Sequence, residues 1–211
     1  YQDLGESGLY GQNLSWGAME AWGRGYALKT TVGAHETFVS LDNYRYTDKK
    51  VVSLTESLWL NMYKNIARAN EFIQSCSEKP DDFFNHGEIE KKLLLGEAYA
   101  IRAFLHFDLL RIFAQTPAKD GEKGKAYIPY VEKYPSKINP PMKTSDVLQK
   151  IMTDLEVAAD NVGAYDTLDV NKDYALSSTY RFSEGNTPSW GRFYSQRGSR
   201  LNYYAIRMLQ A

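Results

Sequence analysis

The chain has 211 residues, enough for one domain with a substantial core, and its 16 tyrosines and 4 tryptophans are many for a helical protein. A net charge of −1, with acids and bases interspersed, argues against a general nucleic-acid or anionic-membrane surface. No stretch approaches the roughly 20 apolar residues that span a bilayer, and the single cysteine, Cys76, gives no disulfide framework.

Taken in order, residues 1–52 form an N-terminal segment. Its first part holds six glycines with Trp16, Met19, Trp22 and Tyr26, and a short helix is expected from about Leu14 to Trp22. From Ala27 to Val52 the chain reads as polar and irregular. A first long helix is expected from Ser53, with Ser53 and Glu56 as a capping box. Trp59, Met62, Tyr63, Ile66, Ala69, Phe72, Ile73 and Cys76 recur along one face and predict a buried stripe that includes Trp59.

After a polar turn through Glu78 to Asp82, a second long helix is expected from Asn85 or His86 until Pro117 stops it. It carries two apolar stripes, one through Ile89, Leu93, Gly96, Ala100, Phe104 and Phe107, the other through Leu94, Ala98, Ile101, Leu105 and Leu109. Such a helix must be covered on at least two sides, and its small residues allow a neighbouring backbone to approach closely. Residues 53–117 are thus a first helix pair. A proline-rich connector follows over 118–143, extended and pinned at Tyr127-Ile128-Pro129-Tyr130-Val131.

The second pair, 144–211, opens with Thr144 or Ser145 capping a helix whose buried face holds Val147, Leu148, Ile151, Leu155, Ala158 and Val162. The helical period stops at Gly163. A loop over 163–199 carries Tyr165, Tyr174, Tyr180, Phe182, Trp190, Phe193 and Tyr194, too aromatic for disorder. A last helix is expected near Ser199. The chain begins at Tyr1 and stops at Ala211 inside an apolar period, so both ends read as cut.

Several strings carry a family resemblance. Trp59-x-x-Met-Tyr63-Lys-Asn65-Ile66-Ala67-Arg68-Ala69-Asn70-Glu-Phe-Ile73 is followed by Gly96-Glu97-Ala98-Tyr99-Ala100-Ile101-Arg102-Ala103-Phe104-Leu105-His106-Phe107-Asp108-Leu109. Then come Ile128-Pro129-Tyr130-Val131, the Val147, Ile151, Asp154, Leu155 and Ala158 helix, and Arg200 to Leu209. In this order they resemble the SusD/RagB family of glycan-binding outer-membrane lipoproteins. One departure is that Ala114 and Gln115 stand where the family has a glycine before its proline.

The resemblance implies an all-α fold of TPR-like helical pairs, an α/α superhelix with long irregular loops. It also implies a protein lipid-anchored through its N-terminus to the outer surface of a Bacteroidetes-type cell outer membrane. There it would deliver captured oligosaccharide or polysaccharide to a SusC-like TonB-dependent transporter, binding without cleaving and needing no cofactor or metal. The chain would then be the N-terminal portion of a longer protein.

A sugar site needs a flat aromatic beneath the ring and planar polar groups at its edge. Two loops offer that mixture: His35-Glu36 through Asn43, Tyr44, Arg45 and Tyr46, and the segment with Arg181, Asn186, Trp190 and Arg192. The expected glycan contacts are Asn43, Tyr44, Tyr46, Arg181 and Trp190. His106 reads as a packing histidine, and Glu97 and Arg102 as local pairs or caps. His35-Glu36 begins like a metalloprotease motif, but Val39 stands where the second histidine belongs. The alternative function is a protein-interaction scaffold without sugar binding; a glycosidase carboxylate pair is the weaker rival.

Overall fold

The computed structural model describes residues 1–25, 36–116, 124–183 and 189–211, and nearly all of their regular structure is α-helix. The expected all-α class holds. Pro117, His35 and Asn186 lie outside the described residues. Two compact units divide the chain, Tyr1–Asn65 and Ile66–Ala211.

In the first unit a run of tight turns precedes three helices. The turns bury Leu4, Leu9 and Leu14. Helix α1, Ala18–Gly23, begins later than expected and leaves Trp16 outside it and exposed, because Gly17 takes a non-helical conformation (φ −89°, ψ −104°). Helix α2, Glu36–Asp42, lies in the segment read as irregular. Phe38 and Leu41 of α2 pack with Ala18 and Ala21 of α1 and with Val51 of α3, Lys49–Ser77.

Helix α3 starts four residues before Ser53, since Asp48 is the better cap. Asp48 Oδ1 accepts the Lys50 N–H at 3.1 Å while Oδ2 accepts the Ser40 hydroxyl at 2.8 Å. These two bonds, the Ser40 hydroxyl first, hold the Asp48 carboxyl below its usual pKa. They also tie the end of α2 to the start of α3. Met62 is buried as expected, but Leu58, absent from the predicted stripe, is buried in place of Trp59, which is half-buried with its ring 4.9 Å from that of Tyr63.

The second unit contains the rest of α3, helix α4 (Gly87–Phe113), a strand pair, β1 (Ala126–Ile128) and β2 (Met142–Lys143), and helices α5 (Thr144–Asp166), α6 (Lys172–Leu176) and α7 (Tyr203–Gln210). Ile66, Ala69, Ile73 and Cys76 of α3 are buried as expected, but Phe72 is exposed. Helix α4 ends at Ala114, whose extended backbone (φ −112°, ψ 156°) closes it before Pro117 is reached. The middle of each stripe is buried, at Leu93, Gly96 and Ala100 and at Ala98, Leu105 and Leu109, and so are Glu90, Glu97, Arg102, His106 and Asp108, whereas Leu94, Ile101, Phe104 and Phe107 are half-buried and Ile89, in the first turn, is exposed. That is an inner helix. Arg102 reaches Asn70 of α3 and Asp154 of α5, so α4 lies between them.

Helix α5 runs antiparallel to α4 and packs tightly at Gly96, where an added Cβ would lie 2.6 Å from Val162 Cγ2. Neither Thr144 nor Ser145 caps α5. Its N-cap is Lys143, which makes no side-chain bond, because β2 feeds the helix directly. The strands pair antiparallel, Ala126 opposite Lys143 and Ile128 opposite Met142. Helix α5 also continues through Gly163 to Asp166, and α7 starts at Tyr203, where Asn202 Oδ1 accepts the Ala205 N–H at 2.9 Å.

Two buried guanidinium groups lock the irregular segments onto this helix layer. Arg102 forks onto Asp154 with two bonds of 2.6 Å and donates to Asn70 Oδ1 at 2.8 Å. Burial alone lowers its pKa, but the Asp154 carboxylate more than reverses this and holds it above the usual value. Asn70 in turn donates to the Val131 carbonyl at 2.8 Å, and Tyr130 donates to Asp154. Arg197, fully buried, forks onto Asp166 at 2.9 and 2.8 Å and also binds Glu97. Glu97 and Arg102 therefore pair across long stretches of sequence, not locally as expected.

His106 completes the first lock. Its ring stacks on Tyr130 at 3.8 Å, Nδ1 donates to the Arg102 carbonyl at 2.8 Å, and Nε2 accepts the Val131 N–H at 3.1 Å. An imidazole that donates on one side and accepts on the other is neutral. Burial, aided by the Arg102 charge, lowers its pKa from 6.5 to about 3.

Candidate functional site

Helices α1 and α2 end the same way. The Gly25 N–H bonds to the Glu20 carbonyl and the Arg24 N–H to Ala21; the Arg45 N–H bonds to Ser40 and the Tyr44 N–H to Leu41. This is the Schellman arrangement, and its left-handed position is normally glycine. Here it is filled by Arg24 (φ 55°) and Tyr44 (φ 56°). A bulky side chain in that conformation costs roughly 1 kcal/mol, so its presence at both termini invites a functional explanation.

The two strained residues meet. The Arg24 guanidinium lies 5.0 Å from the centre of the Tyr44 ring, and the same group donates to the Asp42 carbonyl at 3.3 Å and faces the Asp42 carboxylate at 3.5 Å. Tyr44 and Tyr46 have ring centres 6.1 Å apart and are 50% and 54% exposed. Asn43, also exposed, donates to the Val39 carbonyl at 2.8 Å, which fixes the direction of its amide. Asn43, Tyr44 and Tyr46 are thus brought together on one exposed corner of the first unit. Arg24 belongs to the same group and escaped the sequence reading, since a residue 20 positions upstream gives no local sign of stacking on Tyr44.

Arg181 and Trp190 belong to the second unit. Arg181 is exposed with its guanidinium 4.7 Å from the Phe182 ring centre, and its carbonyl accepts the Gly198 N–H at 2.9 Å. Trp190 is half-buried in an aromatic group. His86 stacks on it at 4.1 Å with the rings parallel within 1°, Tyr165 lies at 4.5 Å, and Tyr194 meets it edge-on at 5.4 Å. Tyr194 donates to the buried Glu90, and burial raises the Tyr194 phenol pKa. The Tyr165 hydroxyl, buried, has no hydrogen-bond partner among the described residues. Phe182 and Phe193 stay exposed, so the aromatic loop splits into an inward group and an outward one.

Among the described residues there is no group of three or more His, Cys, Asp or Glu side chains placed to hold a metal ion, and no helix is long and apolar enough to cross a membrane. A SusD-like family model described as starch-binding associating with outer membrane matches residues 23–180. The chain is also 32% identical over 126 residues to SusD-like protein P38 of Formosa agariphila, a match covering 59% of this chain. The chain spans about a fifth of that relative's length, 21%.

Proposed function

Since the chain belongs to the SusD-like family, we propose that it captures oligosaccharide at the outer surface of the outer membrane, held there by an N-terminal lipid anchor. The sugar then passes to a SusC-like TonB-dependent transporter, and this protein binds it without cleaving it. The observation that carries this reading is the exposed pair Tyr44 and Tyr46, with Tyr44 held at φ 56° beside the Arg24 guanidinium. The pyranose C–H face is apolar and stacks on an aromatic ring, while its equatorial hydroxyls seek planar donors and acceptors. Tyr46 and the outer face of Tyr44 supply the platform; Asn43 and Arg24 supply the rim.

In the second unit, taken by itself, we propose Arg181 and the half-buried Trp190 as further glycan contacts, Arg181 for its donors and Trp190 for its ring. Affinity electrophoresis of the intact protein through gels containing starch and a panel of other polysaccharides tests the assignment. Retardation by at least one glycan is expected, and Tyr44→Ala with Tyr46→Ala should weaken it by about tenfold or more, as loss of a stacked aromatic anchor does. Equal retardation of the double variant and the native protein would remove the site, and no retardation in any gel would remove the function.

A further inference from the structure

At the turn between α3 and α4 the second unit has an open cleft of about 410 Å³. Phe72 and Cys76 of α3, Phe83 and Phe84 of the turn, and Leu94 of α4 make most of its wall, and Lys79 and Glu90 stand among them. Phe83 is 63% exposed and Phe72 43%. Phe83 is held edge-on against Phe84 at 5.3 Å, with the Lys79 ammonium 5.1 Å from its ring centre. The turn itself is fastened, because Lys91 donates to the Lys79 carbonyl at 2.6 Å and to Asp81 at 3.2 Å. Phe83 is therefore kept facing water by a braced turn, with the exposed Phe72 of α3 on the same cleft wall, and such patches mark contact sites.

We infer that this cleft docks an exposed segment of a partner protein that carries one Phe, Leu or Ile side chain between Lys or Arg residues. Cleft volume and lining set the anchor: the space accepts a large apolar side chain, and aromatic and leucine walls desolvate it. A sugar suits it less well. Both oxygens of Glu90 are already engaged, one by the His86 N–H at 2.8 Å and the other by the Tyr194 hydroxyl, and the remaining polar lining groups, Ser75, Lys79 and Asn85, are outweighed by the phenylalanine, cysteine and leucine walls. Rim charge sets the flanks. Glu78, Asp81 and Asp82 are all exposed on the closing turn; Lys91 answers Asp81, and the Lys79 charge sits over Phe83. Glu78, which also accepts from Gln74 at 3.4 Å, and Asp82 outweigh the Lys79 cation and leave the turn net negative, which favours a basic segment. This docking role is independent of the glycan contacts in the first unit.

A random dodecapeptide library displayed on phage and selected on the intact protein tests the inference. The expected selection is peptides with one Phe, Leu or Ile flanked by Lys or Arg, shifting the NMR signals of Phe72, Phe83 and Leu94 when added as synthetic peptide. Phe83→Ser, a change at an exposed position that leaves the thermal midpoint in place, should weaken the best peptide about tenfold; Glu78→Lys with Asp82→Lys should weaken it severalfold. A selection without a shared anchor, a peptide indifferent to Phe83→Ser, or cleft signals that move with oligosaccharides and not with peptides would each overturn it. Loss of glycan retardation with peptide docking intact would count against the sugar reading alone.

Discussion

Tyr44 sits in a backbone conformation that glycine adopts at lower cost, and the position follows α2 in a turn whose hydrogen bonds are complete. Replacing it with glycine should therefore raise stability by about 0.5–1 kcal/mol in urea titrations while weakening retardation by glycans. A glycine variant that is both less stable and fully retarded would show that the ring packs rather than binds. His106 gives a second prediction at this scale. Its pKa of about 3 in the native protein lies below the ordinary 6.5 expected of the unfolded chain. Between these values the unfolded state takes up a proton that the native state refuses, so its contribution is complete above pH 6.5 and is lost as pH falls toward 3. Going from neutral pH to pH 5 should cost about 2 kcal/mol through this group, and His106→Gln, though less stable overall, should lack that part of the slope.

At the scale of elements, the contact between α4 and α5 depends on one missing methyl group. A Cβ on Gly96 would lie 2.6 Å from Val162 Cγ2 and 2.9 Å from the Val162 backbone nitrogen, and the backbone cannot yield as a side-chain tip can. Gly96→Ala should destabilise by roughly 1–3 kcal/mol despite the better helix propensity of alanine. Gly163 of α5 is the control: its Cβ would meet only the Tyr203 ring, at 3.2 Å, so Gly163→Ala should be near neutral or stabilising by up to about 1 kcal/mol in the same denaturation series. The long helices were legible because their apolar residues keep a period near 3.6 over many turns, which also announced α4 as enclosed on two sides. Helix α2 was not, since seven residues with Phe38 and Leu41 as its main core contacts give too short a pattern to register. Arg197 was equally silent, because its partners Asp166 and Glu97 lie 31 and 100 residues away and nothing near it in sequence signals burial. Of the proposed contacts, the grouping of Asn43, Tyr44 and Tyr46 follows from adjacency alone, whereas the strain at Tyr44 and the stacking of Trp190 on His86 arise from backbone geometry and long-range packing.

For the molecule as a whole, a net charge of −1 spread over 25 basic and 26 acidic residues leaves no global field to steer ligands, so any electrostatic effect must be local. The two proposed surfaces differ in that respect. Stacking of a neutral sugar on Tyr44 and Tyr46 releases no counterions, and its hydrogen bonds to Asn43 and Arg24 are short-range. Docking of a basic segment beside Glu78 and Asp82 brings opposite charges together on the exposed turn between α3 and α4, where salt screens them. Raising salt from about 0.05 to 0.5 M shortens the screening length from roughly 14 Å to 4 Å. Isothermal titrations across that range should leave the glycan affinity within about twofold and weaken the selected peptide by severalfold or more. The Glu78→Lys, Asp82→Lys variant should flatten the peptide's salt dependence and leave the glycan unchanged. Glycan binding that falls with salt as steeply as peptide binding would instead mean that the sugar is an anionic one held by Arg24 and Arg45, and the platform of Tyr44 and Tyr46 would then be secondary to charge.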